Sequence, residues 1–170
     1  MFQIGSTEDS PSKTIFSRYG EVACPLPFQG RNGTGFIRML NVTTKKASVL
    51  LVVEDDREMR SLLCDEFWSA GYQLREAKDG HEAFTAVLES VPDLILTDLR
   101  MPAGGADYIG RLRTVAPHCP IVVITAFGDA RLRAEVLQAG ASAYFDKPVR
   151  ISDLKLKVEE LLSSSDHRIA

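Results

Sequence analysis

Three consecutive acidic residues, Glu54, Asp55 and Asp56, directly follow the apolar run "VLLVV". Carboxylates this close together repel one another, and the repulsion grows beside a low-dielectric interior. A fourth acid, Asp98, ends a second apolar run, "DLILTD". Carboxylates that gather at one point are the oxygen ligands that Mg²⁺ prefers, and a bound cation would offset their repulsion. The acids therefore indicate a metal site.

Part of this acidic run has a simpler explanation. Asp55 or Asp56 could cap the next helix, because a side-chain oxygen there accepts a hydrogen bond from a free backbone N–H group. For Asp56 alone, the sequence favours the helix cap. For Glu54 and Asp55 together with Asp98, it favours the metal site.

Two more polar side chains stand at the ends of apolar runs. Thr125 ends "PIVVIT", and Lys147 follows "AYFD". A carboxylate can act as a nucleophile and form an acyl phosphate, while a hydroxyl, an ammonium and Mg²⁺ stabilise the phosphoryl oxygens. Taken alone, Thr125 is an ordinary strand-end residue and Lys147 an ordinary solvated lysine. Their joint occurrence at successive strand ends favours phosphoryl chemistry.

The segments that must position these residues alternate between strand and helix patterns. The strands are predicted at 49 to 53, 72 to 77, 93 to 98, 120 to 125 and 143 to 146. Between them, apolar residues recur at helical spacing, as in Met59, Leu63 and Phe67. Five βα units predict an α/β fold, a doubly wound five-stranded parallel sheet with helices on both faces. In such sheets the site lies at the carboxyl ends of the strands.

Composition excludes several classes of protein. The chain has 170 residues, of which 45% are hydrophobic, enough to build a core. A net charge of −3 gives no electrostatic footprint for nucleic acid. Three scattered cysteines predict a reduced, cytoplasmic protein without a disulfide framework. No apolar run approaches the about 20 residues of a membrane span, and the start does not resemble a signal peptide.

Residues 1 to 46 differ from the rest of the chain. Glycine and proline interrupt every short apolar cluster there, so we predict a largely disordered extension. A functional tail and a true start at Met39 both remain open. The folded domain is predicted at residues 47 to 163, followed by a tail at 164 to 170.

Four motifs in order carry a family resemblance. They are "VVEDD" at 52 to 56, "DLRMP" at 98 to 102, "ITA" at 124 to 126 and "YFDKP" at 144 to 148. On these motifs, residues 47 to 163 closely resemble the receiver domain of two-component response regulators, the CheY-like family. The resemblance implies the flavodoxin-like strand order 2-1-3-4-5.

The resemblance also implies roles for the strand-end residues. Asp98 would be the phosphoacceptor. Asp55 would bind Mg²⁺ directly, Glu54 would act through water, and Asp98 and the backbone carbonyl of Arg100 would complete the ligands. Lys147 would pair with the phosphoryl group, and the peptide bond between Lys147 and the next residue, a proline, would be cis.

A switch is implied as well. Thr125 and Tyr144 match the family's switch pair, in which the hydroxyl moves to the phosphoryl oxygen and the aromatic ring turns inward. On its own, Tyr144 would be a half-buried aromatic residue at the sheet edge. One departure concerns the loop after Asp98, where Ala106 stands at the position at which the family usually has glycine. The loop is therefore expected to differ in shape.

The sequence predicts a single-domain response regulator rather than an enzyme. It would take its phosphoryl group from a histidine kinase or a histidine phosphotransfer protein, and then bind a downstream protein or pass the group on. A haloacid-dehalogenase-like phosphatase needs a second Asp where Arg100 stands, which counts against that alternative. A flavin or nucleotide binder needs a phosphate-cradling loop after its first strand, whereas the first strand here ends in acids that would repel a phosphate unless a metal is present. First-helix residues would recognise the kinase: Arg57, Met59, Arg60 and Leu63.

Overall fold

The computed structural model describes residues 47 to 126 and 128 to 166. The predicted N-terminal extension, Phe127 and the last four residues of the predicted tail lie outside the described residues. None of the helices in the described ranges is long and apolar enough to cross a membrane.

Five strands alternate with five helices along these residues. The strands are β1 (Val49–Val53), β2 (Gln73–Ala77), β3 (Leu94–Thr97), β4 (Ile121–Thr125) and β5 (Ala143–Asp146). The helices are α1 (Arg57–Ser69), α2 (Gly80–Glu89), α3 (Ala106–Val115), α4 (Ala130–Gln138) and α5 (Ile151–Asp166). All strand pairs are parallel, in the order β2-β1-β3-β4-β5, which confirms the predicted fold.

Three strands are shorter than predicted by one residue at one or both ends. β2 begins at Gln73, β4 begins at Ile121, and β3 excludes both Asp93 and Asp98. Asp93 lies just before β3. Its backbone N–H donates to the carbonyl of Val49 at 2.9 Å, and its side chain accepts from the backbone N–H of Val49 at 2.7 Å. Asp98 is therefore the first residue beyond β3, which leaves its side chain at the edge of the sheet.

Helices cover both faces of the sheet. Leu50 and Val52 pack with α1 and α5, whereas Leu51 and Val53 pack with α2, α3 and α4. Successive side chains of a strand point to opposite faces, so a strand buried on both faces must be apolar at every position. The four residues from Leu50 to Val53 are each at most 1% exposed. This burial explains the continuous apolar run.

Aspartates begin three of the helices. The Asp56 carboxylate accepts from the backbone N–H of Met59 at 2.8 Å, and Asp79 and Asp129 cap α2 and α4 in the same way. Such caps satisfy backbone donors that have no partner within the helix. The cap predicted for Asp56 is confirmed, so Asp56 is accounted for without a metal.

Candidate functional site

Two neighbouring strands bring the acidic residues together. Val53 and Thr97 are register partners at the ends of β1 and β3, so Glu54 and Asp98 emerge side by side. The backbone N–H of Asp98 donates to the carbonyl of Val53 at 2.9 Å. Glu54, Asp55 and Asp98 each offer a carboxylate oxygen, and these oxygens all lie within 4.8 Å of one another. Glu54 and Asp98 are buried, whereas Asp55 is exposed.

Lys147 joins two of these acids. It follows β5, and its backbone N–H donates to the carbonyl of Thr125 at 2.8 Å. Its Nζ lies 2.7 Å from Glu54 Oε2 and 3.0 Å from Asp98 Oδ2. The ammonium therefore offsets the repulsion between the two buried carboxylates. The Lys147–Pro148 peptide bond is cis, as the resemblance implies.

Asp98 is held at both carboxylate oxygens. Oδ1 accepts from the backbone N–H groups of Leu99 at 2.5 Å and Arg100 at 3.0 Å, and Oδ2 accepts from Lys147. Burial alone would raise the pKa of Asp98, but the Arg100 N–H and the Lys147 ammonium outweigh it, so this pKa lies below its usual value. Asp98 is consequently ionised at neutral pH.

The pKa of Glu54 shifts in the opposite direction to that of Asp98. Burial raises the pKa of Glu54 above its usual value, and the hydrogen bond from Lys147 only partly offsets the increase. For Lys147, burial favours the neutral amine, but its hydrogen bonds to Glu54 and Asp98 raise the pKa above the usual value. The site therefore pairs a charged lysine with two carboxylates whose affinities for a proton differ.

Thr125 lies fully buried at the end of β4. Its hydroxyl donates to the carbonyl of Ala126 at 3.3 Å and is close enough to Asp98 to contribute to the lowering of that pKa. Within the described residues, Glu54, Asp98, Thr125 and Lys147 therefore converge on one point at the carboxyl edge of the sheet.

Tyr144 is more deeply buried than the sequence predicted. It is 8% exposed, although β5 is an edge strand. Its hydroxyl donates to Asp146 Oδ1 at 3.0 Å, and the Arg133 guanidinium of α4 lies 5.6 Å from the ring centre. Packing against α4 explains the burial.

In the loop after Asp98, a glycine stands one residue before the position at which the family usually has it. α3 begins at Ala106, and the positive φ of 93° falls one residue earlier, at Gly105. Ala103 also adopts a left-handed backbone, with φ of 57°, which costs a residue with a side chain roughly 1–2 kcal/mol. The loop is held to α2 by a hydrogen bond from Gly80 N to the carbonyl of Pro102 at 3.0 Å.

Of the first-helix residues assigned to kinase recognition, Leu63 is buried and Arg60 is half-buried. Leu63 is 4% exposed and belongs to the core. The Arg60 side chain is 16% exposed and bonds to the backbone of Glu54, a contact that local sequence patterns did not reveal. For Leu63 a signal existed, because it shares the apolar helical spacing of Phe67. Arg57 and Met59 remain at the surface, exposed and half-buried respectively.

Comparison with known proteins agrees with this geometry. The response regulator receiver domain family matches residues 50 to 159. The chain belongs to this family. Receiver domains are phosphoacceptor signalling domains of two-component systems, not classical enzymes. Three residues of the motifs, Glu54, Asp55 and Asp98, form the acidic cluster described above.

Relatives share the receiver region rather than a common overall length. Sporulation initiation phosphotransferase F of Bacillus subtilis is 30% identical over 114 residues, which cover 66% of this chain and 92% of that protein. Response regulator MprA of Mycolicibacterium vanbaalenii is 34% identical over 114 residues, covering 66% of this chain but 49% of that protein. The chain thus matches nearly the whole of one relative and about half of the other.

A solved structure has the same fold. It is the crystal structure of a CheY-like response regulator receiver domain protein from Methanospirillum hungatei JF-1, with a TM-score of 0.69 and 24% identity. The similarity covers 71% of this chain and 98% of that one.

Proposed function

We propose that this receiver domain accepts a phosphoryl group on Asp98 from a histidine kinase or a histidine phosphotransfer protein. The observation that carries the proposal is the contact of Lys147 Nζ with Asp98 Oδ2, beside the carboxylates of Glu54 and Asp55. A buried, ionised carboxylate next to an ammonium and a buried hydroxyl combines a nucleophile with groups that stabilise phosphoryl oxygens.

The transfer forms an acyl phosphate. A carboxylate oxygen of Asp98 attacks the phosphorus of a phosphohistidine, and a new O–P bond forms. The P–N bond breaks, and the imidazole nitrogen leaves with the electron pair. The low pKa of Asp98 supplies the ionised carboxylate that this attack requires. The chain modifies its own aspartate, which makes it a phosphoacceptor rather than a catalyst of turnover.

The acidic cluster fits Mg²⁺. Three carboxylates with oxygens within 4.8 Å offer hard ligands, and Asp55 is the exposed member of the three. Asp55, Asp98 and the backbone carbonyl of Arg100 would hold the ion, with Glu54 acting through water. When bound, Mg²⁺ supplies positive charge that stabilises the phosphoryl oxygens.

Phosphorylation would redistribute contacts that already exist. Lys147 would exchange a carboxylate partner for a phosphoryl oxygen, and the Thr125 hydroxyl would donate to another. Tyr144 is already buried, so its part in the switch would be a change in its contacts with Asp146 and Arg133. These contacts lie on β5 and α4, where a local charge event can alter a binding surface.

Two outputs are open to the phosphorylated domain. It can bind a downstream protein, or it can pass the phosphoryl group on to a histidine of another protein. The relative named as a phosphotransferase, of which this chain covers 92%, supports the second output. A cytoplasmic location remains a prediction of the sequence.

The proposal is tested by incubating the full chain with acetyl phosphate and Mg²⁺ and resolving it on a phosphate-retarding gel. We expect a retarded band that Asp98→Ala abolishes and that EDTA prevents. Asp56→Asn is the matched control, because asparagine also caps helices, and it should label normally. A retarded band that persists in Asp98→Ala would refute the assignment of the phosphoacceptor.

A further inference from the structure

Arg60 folds back from α1 onto the loop that carries the acidic pair. Its Nη1 donates to the carbonyl of Glu54 at 2.6 Å and makes a longer contact of 3.5 Å with the carbonyl of Asp55. On its other side, Nε donates to Glu76 Oε2 of β2 at 3.3 Å. One guanidinium therefore links α1, β2 and the backbone of two acidic residues.

The loop of Glu54 and Asp55 has backbone carbonyl groups that the sheet does not pair, and Arg60 donates hydrogen bonds to them. Glu54 and Asp55 follow the last residue of β1, so their carbonyl groups lie beyond the paired part of the strand. A carbonyl that is shielded from water needs a hydrogen-bond donor. The guanidinium supplies several donors in a rigid plane, whereas a lysine ammonium is a compact point charge on a flexible stem.

Arg60 is also held in place itself. The carboxylate of Glu76 accepts a hydrogen bond from the Nε–H group of Arg60, and the Arg60 side chain is 16% exposed. A side chain that is anchored at both edges is poorly suited to meet a kinase, although its position on α1 suggested that role. Its hydrogen bonds instead restrict the backbone from which the Glu54 and Asp55 carboxylates project.

We propose that Arg60 is a positioning residue of the cation site, one that orients Asp55 toward Asp98 through the backbone and touches neither the cation nor the phosphoryl group. The inference rests on the proposed function, because it assigns Mg²⁺ to Glu54, Asp55 and Asp98. Residues that orient metal ligands typically change metal affinity about 10- to 100-fold when they are replaced.

The test measures Mg²⁺ affinity of the full chain by calorimetry without a phosphoryl donor. Arg60→Gln should weaken Mg²⁺ binding about 10-fold, and Arg60→Lys, which keeps the charge and a donor, should recover part of the loss. Arg75→Gln is the matched control. Arg75 also donates to two carbonyls, those of Ala86 and Ser90, but lies away from the acidic cluster. The Arg75→Gln variant should have a lower thermal midpoint and an unchanged affinity for Mg²⁺.

A second variant covers the case in which Arg60→Gln does not fold. Glu76→Gln keeps Arg60 but removes the charge that anchors it, and should weaken Mg²⁺ binding by less than Arg60→Gln would. Wild-type affinity in folded Arg60→Gln, or in Glu76→Gln if the first variant is unfolded, overturns the proposal. An equal loss of affinity in Arg75→Gln also overturns it, since the effect would then be general destabilisation.

Labelling separates this inference from the proposed function. If Arg60 behaves as expected but acetyl phosphate does not label Asp98, the cation site stands and the phosphoacceptor assignment fails. If labelling depends on Asp98 but Arg60→Gln leaves the Mg²⁺ affinity unchanged, the positioning role of Arg60 is wrong and the phosphoacceptor assignment stands. If the wild-type chain binds no Mg²⁺, the cation site and the positioning role both fail, and labelling of Asp98 alone decides the phosphoacceptor assignment.

Discussion

Two cationic side chains at opposite edges of the sheet bind different kinds of acceptor. At the carboxyl edge, Lys147 pairs with the carboxylates of Glu54 and Asp98. At the amino edge, Arg113 of α3 donates to backbone carbonyls, among them Gly140 at 2.6 Å and Pro117 at 2.8 Å. It also donates to the carbonyls of Cys119 at 2.9 Å and Ala116 at 3.3 Å.

The acceptors decide what each cation can do. Carboxylates are negatively charged, so a cation or a phosphoryl group that enters the site competes with Lys147 for them. Backbone carbonyls are neutral and tied to the loops between α3 and β4 and between α4 and β5, so Arg113 has no charged partner to exchange among these bonds. The contacts of Lys147 at the carboxyl edge can therefore be exchanged for those of an incoming ligand, whereas the contacts of Arg113 at the amino edge are structural.

Replacing Lys147 should produce the largest effect. Lys147→Met removes a group expected to stabilise the phosphoryl oxygens, so the rate of labelling by acetyl phosphate should fall about 10²-fold. It also leaves two buried carboxylates facing each other, so Mg²⁺ should raise the thermal midpoint by more than in the wild type. The measurements are gel-shift rates and calorimetric midpoints with and without Mg²⁺.

The control for this variant is Lys157→Met. Lys157 pairs with the exposed Glu160 on α5, where a surface ion pair contributes little. Both its labelling rate and its response to Mg²⁺ should match the wild type. Unaltered labelling in Lys147→Met would show that the ammonium does not assist the transfer.

Replacing Arg113 should affect stability without affecting chemistry. Arg113→Met removes several hydrogen bonds to partly buried carbonyls, each contributing about 1 kcal/mol. Since 1 kcal/mol shifts the midpoint of a domain of this size by about 2–4 °C, a fall of roughly 5–10 °C is expected. Labelling well below the midpoint should be unchanged, and a large loss there would contradict the division between the two edges.

Replacing Gly80 should lower the thermal midpoint by less than replacing Arg113. This variant tests whether the loop after Asp98, at the carboxyl edge, is rigidly packed against α2. A Cβ atom at Gly80 would overlap the carbonyl oxygen of Ala103, so Gly80→Ala must displace the loop after Asp98, at a cost of about 1–3 kcal/mol. Gly110→Ala is the control, because nothing lies within 4 Å of its added Cβ. It should leave stability the same or increase it by up to about 1 kcal/mol. Equal midpoints in the two variants would disprove the contact.

The smallest effect should come from Glu54 without metal. Its pKa is raised in the folded protein, so the ionised form opposes folding, and this cost appears as pH rises above the unfolded value and through the folded pKa. In EDTA at pH 7, Glu54→Gln should therefore have a midpoint equal to the wild type or higher by about 2–4 °C at most. Calorimetry from pH 5 to 8 checks the sign, and a lower midpoint at pH 7 would show that the Lys147 contact outweighs burial.

Local patterns predicted the elements well because each pattern reports a short stretch of chain. The apolar run of β1 and the cap at Asp56 depend on nearest neighbours and on burial of both sheet faces. The bounds of β3 were less predictable, since Asp93 and Asp98 flank the strand and still donate backbone hydrogen bonds to β1, while their side chains accept hydrogen bonds of their own. The strand order came from the family resemblance, because periodicity does not specify which strands are neighbours.

The sequence by itself determined that acids, a hydroxyl and a lysine would reach one edge, because parallel strands joined by helices all end there. Only the tertiary structure decided which of them touch. Lys147 contacts Glu54 and Asp98 across 93 and 49 residues, and Arg60 turns inward to the carbonyl of Glu54. Such contacts depend on side-chain direction and on the packing of several elements at once. A one-dimensional pattern does not contain that information.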